Sequence, residues 1–132
     1  MPKPLVKLTV RLPEYRRPRN AWRREIHRVV SEGLEKAGIR YKDTDRLEIA
    51  ARLYFQRNKL RLVDIDNRLK DILDALQGHV GGAGKRQRTL KPLIPNDSQV
   101  FRVIVEKGLP PKQSKRGRGH LFIRKYKGPI YR

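Results

Sequence analysis

Val63-Asp64-Ile65-Asp66-Asn67-Arg68-Leu69-Lys70-Asp71-Ile72-Leu73-Asp74-Ala75-Leu76 is the stretch on which the reading of this chain turns. Leu69, Ile72, Leu73 and Leu76 recur at i, i+3, i+4 and i+7, the period of one helical face. Leu53, Phe55, Leu60 and Leu62 lead in from an alternating segment. Extended chain therefore gives way to a helix near Asn67, which runs to about Gln77 and ends at Gly78. Asp64, Asp66, Asp71 and Asp74 also fall in this stretch, four of the chain's 13 carboxylates. The whole chain carries 33 Lys and Arg and a net charge of +20. Negative charge gathered in such a background suggests a cation to be held. In extended chain a two-residue spacing points Asp64 and Asp66 the same way, so both could reach one ion.

Working outward, Val6, Leu8, Val10 and Leu12 alternate with Leu5, Lys7, Thr9 and Arg11, which reads as a half-buried strand stopped by Pro13. Asn20 is a suitable N-cap. Trp22, Ile26, Val29, Val30, Leu34 and Ala37 then keep a helical period up to Gly38, with Arg23, Arg24 and Arg28 on the other face. Leu47, Ile49, Ala51, Leu53 and Phe55 predict a second strand. Val100 to Val105 and Leu121 to Ile123 predict two more. Gly81, Gly82, Gly84, Lys85, Arg86 and Arg88 read as a basic loop with nothing to bury. It is not a phosphate loop of the Walker type, because His79 stands where the first glycine belongs and Arg86 where Ser or Thr would hold magnesium. The pattern predicts one α/β (α+β) domain over residues 1–132, with a small mixed sheet of about four strands packed by two main helices. Flexible basic loops are expected near 79–92 and 108–119.

The charge balance points to a polyanion, nucleic acid by default. Arg16, Arg17, Arg19, Arg23, Lys85, Arg86, Arg88, Lys115, Arg116 and Arg118 are the candidates for phosphate contact. No cysteine is present, which excludes disulfides, thiolate zinc sites and cysteine nucleophiles. No apolar run approaches the roughly 20 residues of a spanning helix, and Met1 to Leu12 lacks a signal-peptide core. A cytoplasmic, nucleoid-associated protein without membrane contact is the expectation.

Hydrolysis of a nucleic-acid backbone at neutral pH calls for a divalent metal that generates hydroxide and neutralises phosphate charge. Magnesium takes hard oxygen ligands, usually a few carboxylates with water and substrate phosphate. Asp64 and Asp66 supply two. Asp97 is the best third, because it follows Pro95-Asn96, precedes a strand and is one of two carboxylates among fourteen Lys and Arg in residues 75–132. Lys70, four residues after Asp66, shares a helix face with it and could stabilise the transferring phosphate. Simpler readings stand beside these. Asp64 could be a helix cap with Asp66 in a surface ion pair, Lys70 with Asp74 an ordinary i,i+4 pair, and Asp97 an Asx-turn residue. His27, His79 and His120 have no ligand spacing, and Trp22 reads as core.

The run Asp64-x-Asp66-Asn67-x-x-Lys70-x-x-x-Asp74-Ala75-Leu76, followed by Asn96-Asp97-x-Gln99-Val100, resembles the signature of RusA-type endodeoxyribonucleases, the Holliday junction resolvases. The resemblance covers about residues 45 to 106. It implies a homodimer of small mixed α/β subunits that resolves four-way DNA junctions by paired symmetric cuts during recombination and repair. It further implies a magnesium site, with manganese as a substitute, made by Asp64, Asp66 and Asp97. Lys70 would assist cleavage, and no small-molecule cofactor would take part. The Gly-rich basic insert between Gly78 and Pro92 and the tail from Lys112 to Gly119 depart from the pattern and would serve as extra DNA arms. Two rivals remain open: a non-catalytic basic DNA- or RNA-binding protein, and a metal-dependent ribonuclease or flap nuclease on the same scaffold.

Overall fold

Four strands and two helices occupy the positions that hydrophobic periodicity assigns them. A computed structural model describes residues 7–81, 88–110 and 119–130. The elements are β1 (Leu8–Leu12), α1 (Arg19–Ala37), β2 (Leu47–Tyr54), α2 (Ile65–Leu76), β3 (His79–Gly81), β4 (Arg88–Thr89), β5 (Val100–Gly108) and β6 (Gly119–Lys125). The main sheet has the order β1-β6-β2-β5. Its β1–β6 and β6–β2 pairs are antiparallel and β2–β5 is parallel, so the sheet is mixed, with α1 and α2 packed against it in an α+β arrangement.

Period-2 alternation sends Leu8, Val10 and Leu12 of β1, Leu47, Ile49, Ala51 and Leu53 of β2, and Leu121 and Ile123 of β6 into one core. There they meet Trp22, Ile26, Val30 and Leu34 of α1 and Ile72, Ala75 and Leu76 of α2. Burying each such side chain contributes about 1.5–3 kcal/mol, and this layer holds the domain together. Trp22 is core, its indole N–H donating to the Pro13 carbonyl at 3.0 Å. Helix α1 lies close on β1 because Gly33 has no side chain: a Cβ there would stand 2.8 Å from Val10 Cγ1.

Several local expectations shift. The N-cap of α1 is Pro18, without a side-chain cap bond, and Asn20 lies inside the helix. Gly38 closes α1 in the left-handed region at φ 68°, as a C′ glycine does. Helix α2 starts two residues earlier than the spacing suggests, because Asp64 caps it. Its buried face is Asp71, Ile72, Ala75 and Leu76, while Leu69 and Leu73 are only half-buried. The face is thus rotated toward an aspartate. The region after α2 is not all loop: β3 and β4 form an antiparallel two-stranded ribbon, and Val80, at the centre of β3, is fully buried. Lys85, Arg86, Lys115, Arg116 and Arg118 lie outside the described residues. Among the described residues, no helix is long and apolar enough to cross a membrane.

A candidate active site at the start of α2

Asp64 leaves the loop after β2 in extended conformation, φ −87° and ψ 109°, and its carboxylate accepts the Asp66 backbone N–H at 3.0 Å. The second carboxylate oxygen faces the Asn67 side-chain amide at 3.4 Å. An N-cap aspartate satisfies one of the helix's orphan donors and typically contributes about 1 kcal/mol. Asp66 sits in the first turn, where the positive end of the helix dipole favours a carboxylate. The two aspartates therefore do not project together from an extended strand: one is the cap, the other already helical. Both are exposed, so the pair still presents carboxylate oxygens to solvent at one helix end. Two such hard donors suit a largely hydrated magnesium ion.

Lys70 is exposed one turn after Asp66 on α2. Among the described residues it makes no ion pair, and its expected partner Asp74 is taken by Arg23 at 3.0 Å instead.

Asp97 opens a short 3-10 turn, Asp97–Gln99, capped by Asn96, whose side chain accepts the Ser98 N–H. Gln99 closes the turn by accepting the Asn96 N–H at 2.8 Å and donating to the carbonyls of Lys42 and Asp45, both at 2.8 Å. Those contacts tie Asp97 to the chain entering β2. Asp64, by contrast, follows the far end of β2, and its neighbour Val63 accepts a hydrogen bond from Lys107 near the end of β5 at 2.9 Å. From Val100 to Lys107 the strand covers seven steps, roughly 23 Å at about 3.3 Å each. Asp97 and the Asp64–Asp66 pair thus lie at opposite ends of the sheet, and the expected convergence of three aspartates does not occur within one chain. Among the described residues, no three His, Asp or Glu side chains are grouped to hold a metal.

The cationic candidates divide. Arg17 is exposed, and Arg16 is exposed but paired with Glu25 at 3.3 Å. Arg23 is not available to phosphate: its side chain is 11% exposed and grips Asp71 at 2.9 Å and Asp74 at 3.0 Å. Arg19 reaches the same Asp71 at 3.0 Å, and Arg68 approaches it at 3.5 Å while stacking over Tyr15, 3.7 Å from the ring centroid. Asp71, fully buried, is the residue that sequence reasoning passed over. Its signal was present, since position 71 stands between Arg68 and Ala75 on the stripe that faces α1. Arg88 lies in β4.

The open face of the sheet carries another cationic set. Arg102 and Arg124 flank the buried Glu48, Arg102 at 3.2 Å. Arg52 pairs with Glu106 at 3.1 Å, and the Lys7 ammonium lies 5.1 Å from the Phe122 ring centroid.

Comparison with protein-family models finds none that matches this chain, and no curated protein matches it.

Proposed function

We propose that this chain is a magnesium-dependent endodeoxyribonuclease that acts on four-way DNA junctions, with paired cuts on opposing strands during recombination and repair. The observation that carries the reading is the state of the carboxylates. Among the described residues, seven of the 13 are in ion pairs. Asp64, Asp66 and Asp97 stay out of ion pairs among the described residues and are exposed, as are Glu14, Glu35 and Asp43; what sets Asp64 and Asp66 apart is that they stand two residues apart at the start of α2. In a chain with 33 cations, carboxylates without a Lys or Arg partner suit a cation that comes from solution.

Asp64 and Asp66 would hold the ion, which when bound supplies a hydroxide and neutralises charge on the scissile phosphate. Asp64 is fixed by the Asp66 N–H, so its carboxylate is oriented before any ligand arrives. Lys70, one turn along, is positioned for the charge that grows on the phosphate oxygens. Water oxygen bonds to phosphorus as the bond to the 3′-oxygen breaks, and the proton released by the water ends on that leaving oxygen. Capture of the junction falls to phosphate contacts with little regard for sequence. Such a protein would work in the cytoplasm at the nucleoid.

The test uses a synthetic four-way junction, a linear duplex and a structured RNA, each with magnesium or EDTA. The expected result is magnesium-dependent cutting of the junction alone, and an Asp66→Asn variant that still binds the junction but cuts it at least a hundredfold more slowly (about 3 kcal/mol of barrier). Wild-type cutting by Asp66→Asn would remove Asp66 from the mechanism. The second reading, a non-catalytic basic DNA- or RNA-binding protein, is favoured by the separation of Asp97 from Asp64 and by the capping role of Asp64. Salt-sensitive binding without magnesium-dependent cleavage of any substrate would establish it, while cutting of the RNA would move the activity to a ribonuclease.

A further inference from the structure

The face of the main sheet turned away from α1 and α2 interleaves aromatic rings with cations. Alternation along a strand puts His120 and Phe122 of β6 and Arg52 and Tyr54 of β2 on it, since their neighbours Leu121, Ile123, Ala51 and Leu53 enter the core. Phe101 is the extra residue of a β-bulge, lying between the pairs Leu47 with Val100 and Glu48 with Arg102. It is 47% exposed, and its ring meets that of Tyr126 at 5.8 Å between centroids. Three of these rings have a cation over them. Lys7 stands 5.1 Å from the centroid of Phe122, Arg46 5.6 Å from that of Phe101, and Arg52 6.0 Å from that of Tyr54.

We propose that this face is a platform for single-stranded DNA. Charge complementarity is the first ground. Lys7, Arg11, Arg52, Arg102 and Arg124 are exposed on or beside this face and outnumber its carboxylates, Glu48 and Glu106. Both carboxylates are held by arginines, Glu48 by Arg102 and Arg124, Glu106 by Arg52. Lys7, Arg11 and Arg46 make no ion pair among the described residues, which leaves them for phosphate.

The rings are the second ground. Phosphate alone has no use for them, whereas nucleobases stack on aromatic side chains with little regard for sequence while nearby cations follow the backbone. Spacing then separates a single strand from a duplex. His120 and Phe122 stand two residues apart on β6, roughly 6.7 Å at about 3.3–3.4 Å per residue, about twice the rise between stacked bases. Bases seated on both rings are splayed apart, which a paired duplex does not allow. No carboxylate of the face is left free to accept from a ribose 2′-hydroxyl, the group by which proteins tell RNA from DNA, so the occupant is DNA. The helices, with Asp64 and Asp66 at the start of α2, pack on the opposite side of this sheet. The platform therefore goes beyond the nuclease reading and stands without it.

The test is fluorescence anisotropy of the full chain with labelled strands of about ten nucleotides, in EDTA so that nothing is cut. Oligodeoxyuridylate should bind at least about fivefold more tightly than an abasic strand of equal length, which keeps the phosphates and lacks the bases. Phe101→Leu and Phe122→Leu should each weaken oligodeoxyuridylate binding by about fivefold or more and leave the abasic strand unaffected, while Phe101→Tyr and Phe122→Tyr should bind like wild type. Phe101, the more exposed ring, keeps the test sound where loss of the half-buried Phe122 disturbs the fold. Lys7→Gln should flatten the salt dependence by about 0.7 in slope. Equal binding of base-bearing and abasic strands, or leucine variants that bind like wild type, overturns the platform. Tighter binding of oligouridylate than of oligodeoxyuridylate overturns DNA as its occupant. A chain that binds as stated but cuts no junction refutes the nuclease reading and leaves the platform standing.

Discussion

Asp71→Asn should be the most damaging conservative substitution in the domain. Asp71 is fully buried between α1 and α2, where Arg19 Nε, Arg23 Nη2 and Arg68 Nη2 approach it at 3.0, 2.9 and 3.5 Å. The asparagine side chain keeps the shape and removes the charge. It also turns an N–H₂ group toward a set of N–H donors. Arg23 and Arg68 are each only 11% exposed, so neither can regain full hydration, although Arg23 keeps Asp74. Arg19, 44% exposed, can swing into solvent and should matter little. Removing one member of a buried ion pair costs about 3–5 kcal/mol, and the remaining Asp74 contact argues for the lower end. At roughly 3 °C per kcal/mol for a domain of this size, Tm should fall by about 10 °C. Two atoms of the cluster, Arg68 Nε and Asp71 Oδ2, are buried without a hydrogen-bond partner in the described structure, so the network is not ideal to begin with. Replacing the buried members together, with Arg23→Met, Arg68→Met and Asp71→Leu, should therefore cost less than Asp71→Asn alone. Urea unfolding followed by circular dichroism, with unchanged m-values, is the assay. A loss below about 0.5 kcal/mol for Asp71→Asn, the scale of an ordinary surface change, would refute the view that this carboxylate clamps the two helices.

Two further predictions concern the core. Burial, reinforced by nearby Asp45, pushes the Tyr41 phenol well above its ordinary range, and its hydroxyl donates to the Ile123 carbonyl at 3.2 Å. A raised folded-state pKa stabilises the fold below the unfolded value near 10, and the benefit is lost as pH climbs past it. Unfolding free energies at about pH 8 and about pH 11 should therefore fall more steeply for wild type than for Tyr41→Phe, and an equal slope would contradict this. Gly33→Ala gains about 1 kcal/mol of helix propensity but sets its Cβ 2.8 Å from Val10 Cγ1. Overpacking of about 1–3 kcal/mol should outweigh the gain, and Val10→Ala in the same chain should relieve it. A rise in Tm for the single variant would mean that β1 yields to α1.

Apolar periodicity carries the fold because its source is burial, which the sheet and helices share. The four strands and two helices follow from residues such as Leu47, Ile49 and Ala51 or Trp22, Ile26 and Val30. Less legible were choices that polar groups settle through tertiary partners. Arg23 reads as a solvent-facing cation until α2 presents Asp71 and Asp74, and the turn of α2 toward α1 follows from that pairing rather than from Leu69 and Leu73. Val80 read as loop because its cover comes from elsewhere in the chain. Asp64 shows the same limit in miniature: in a strand it would share a face with Asp66, but its own hydrogen bond to Asp66 begins the helix and takes the shared face away.

The position of Asp97 was open to deduction from the strand order. When β2 and β5 run parallel, the segment leaving β2 lies at one end of the sheet and the segment entering β5 at the other. Asp64 belongs to the first and Asp97 to the second, so no loop adjustment short of unpairing β5 brings them together in one chain.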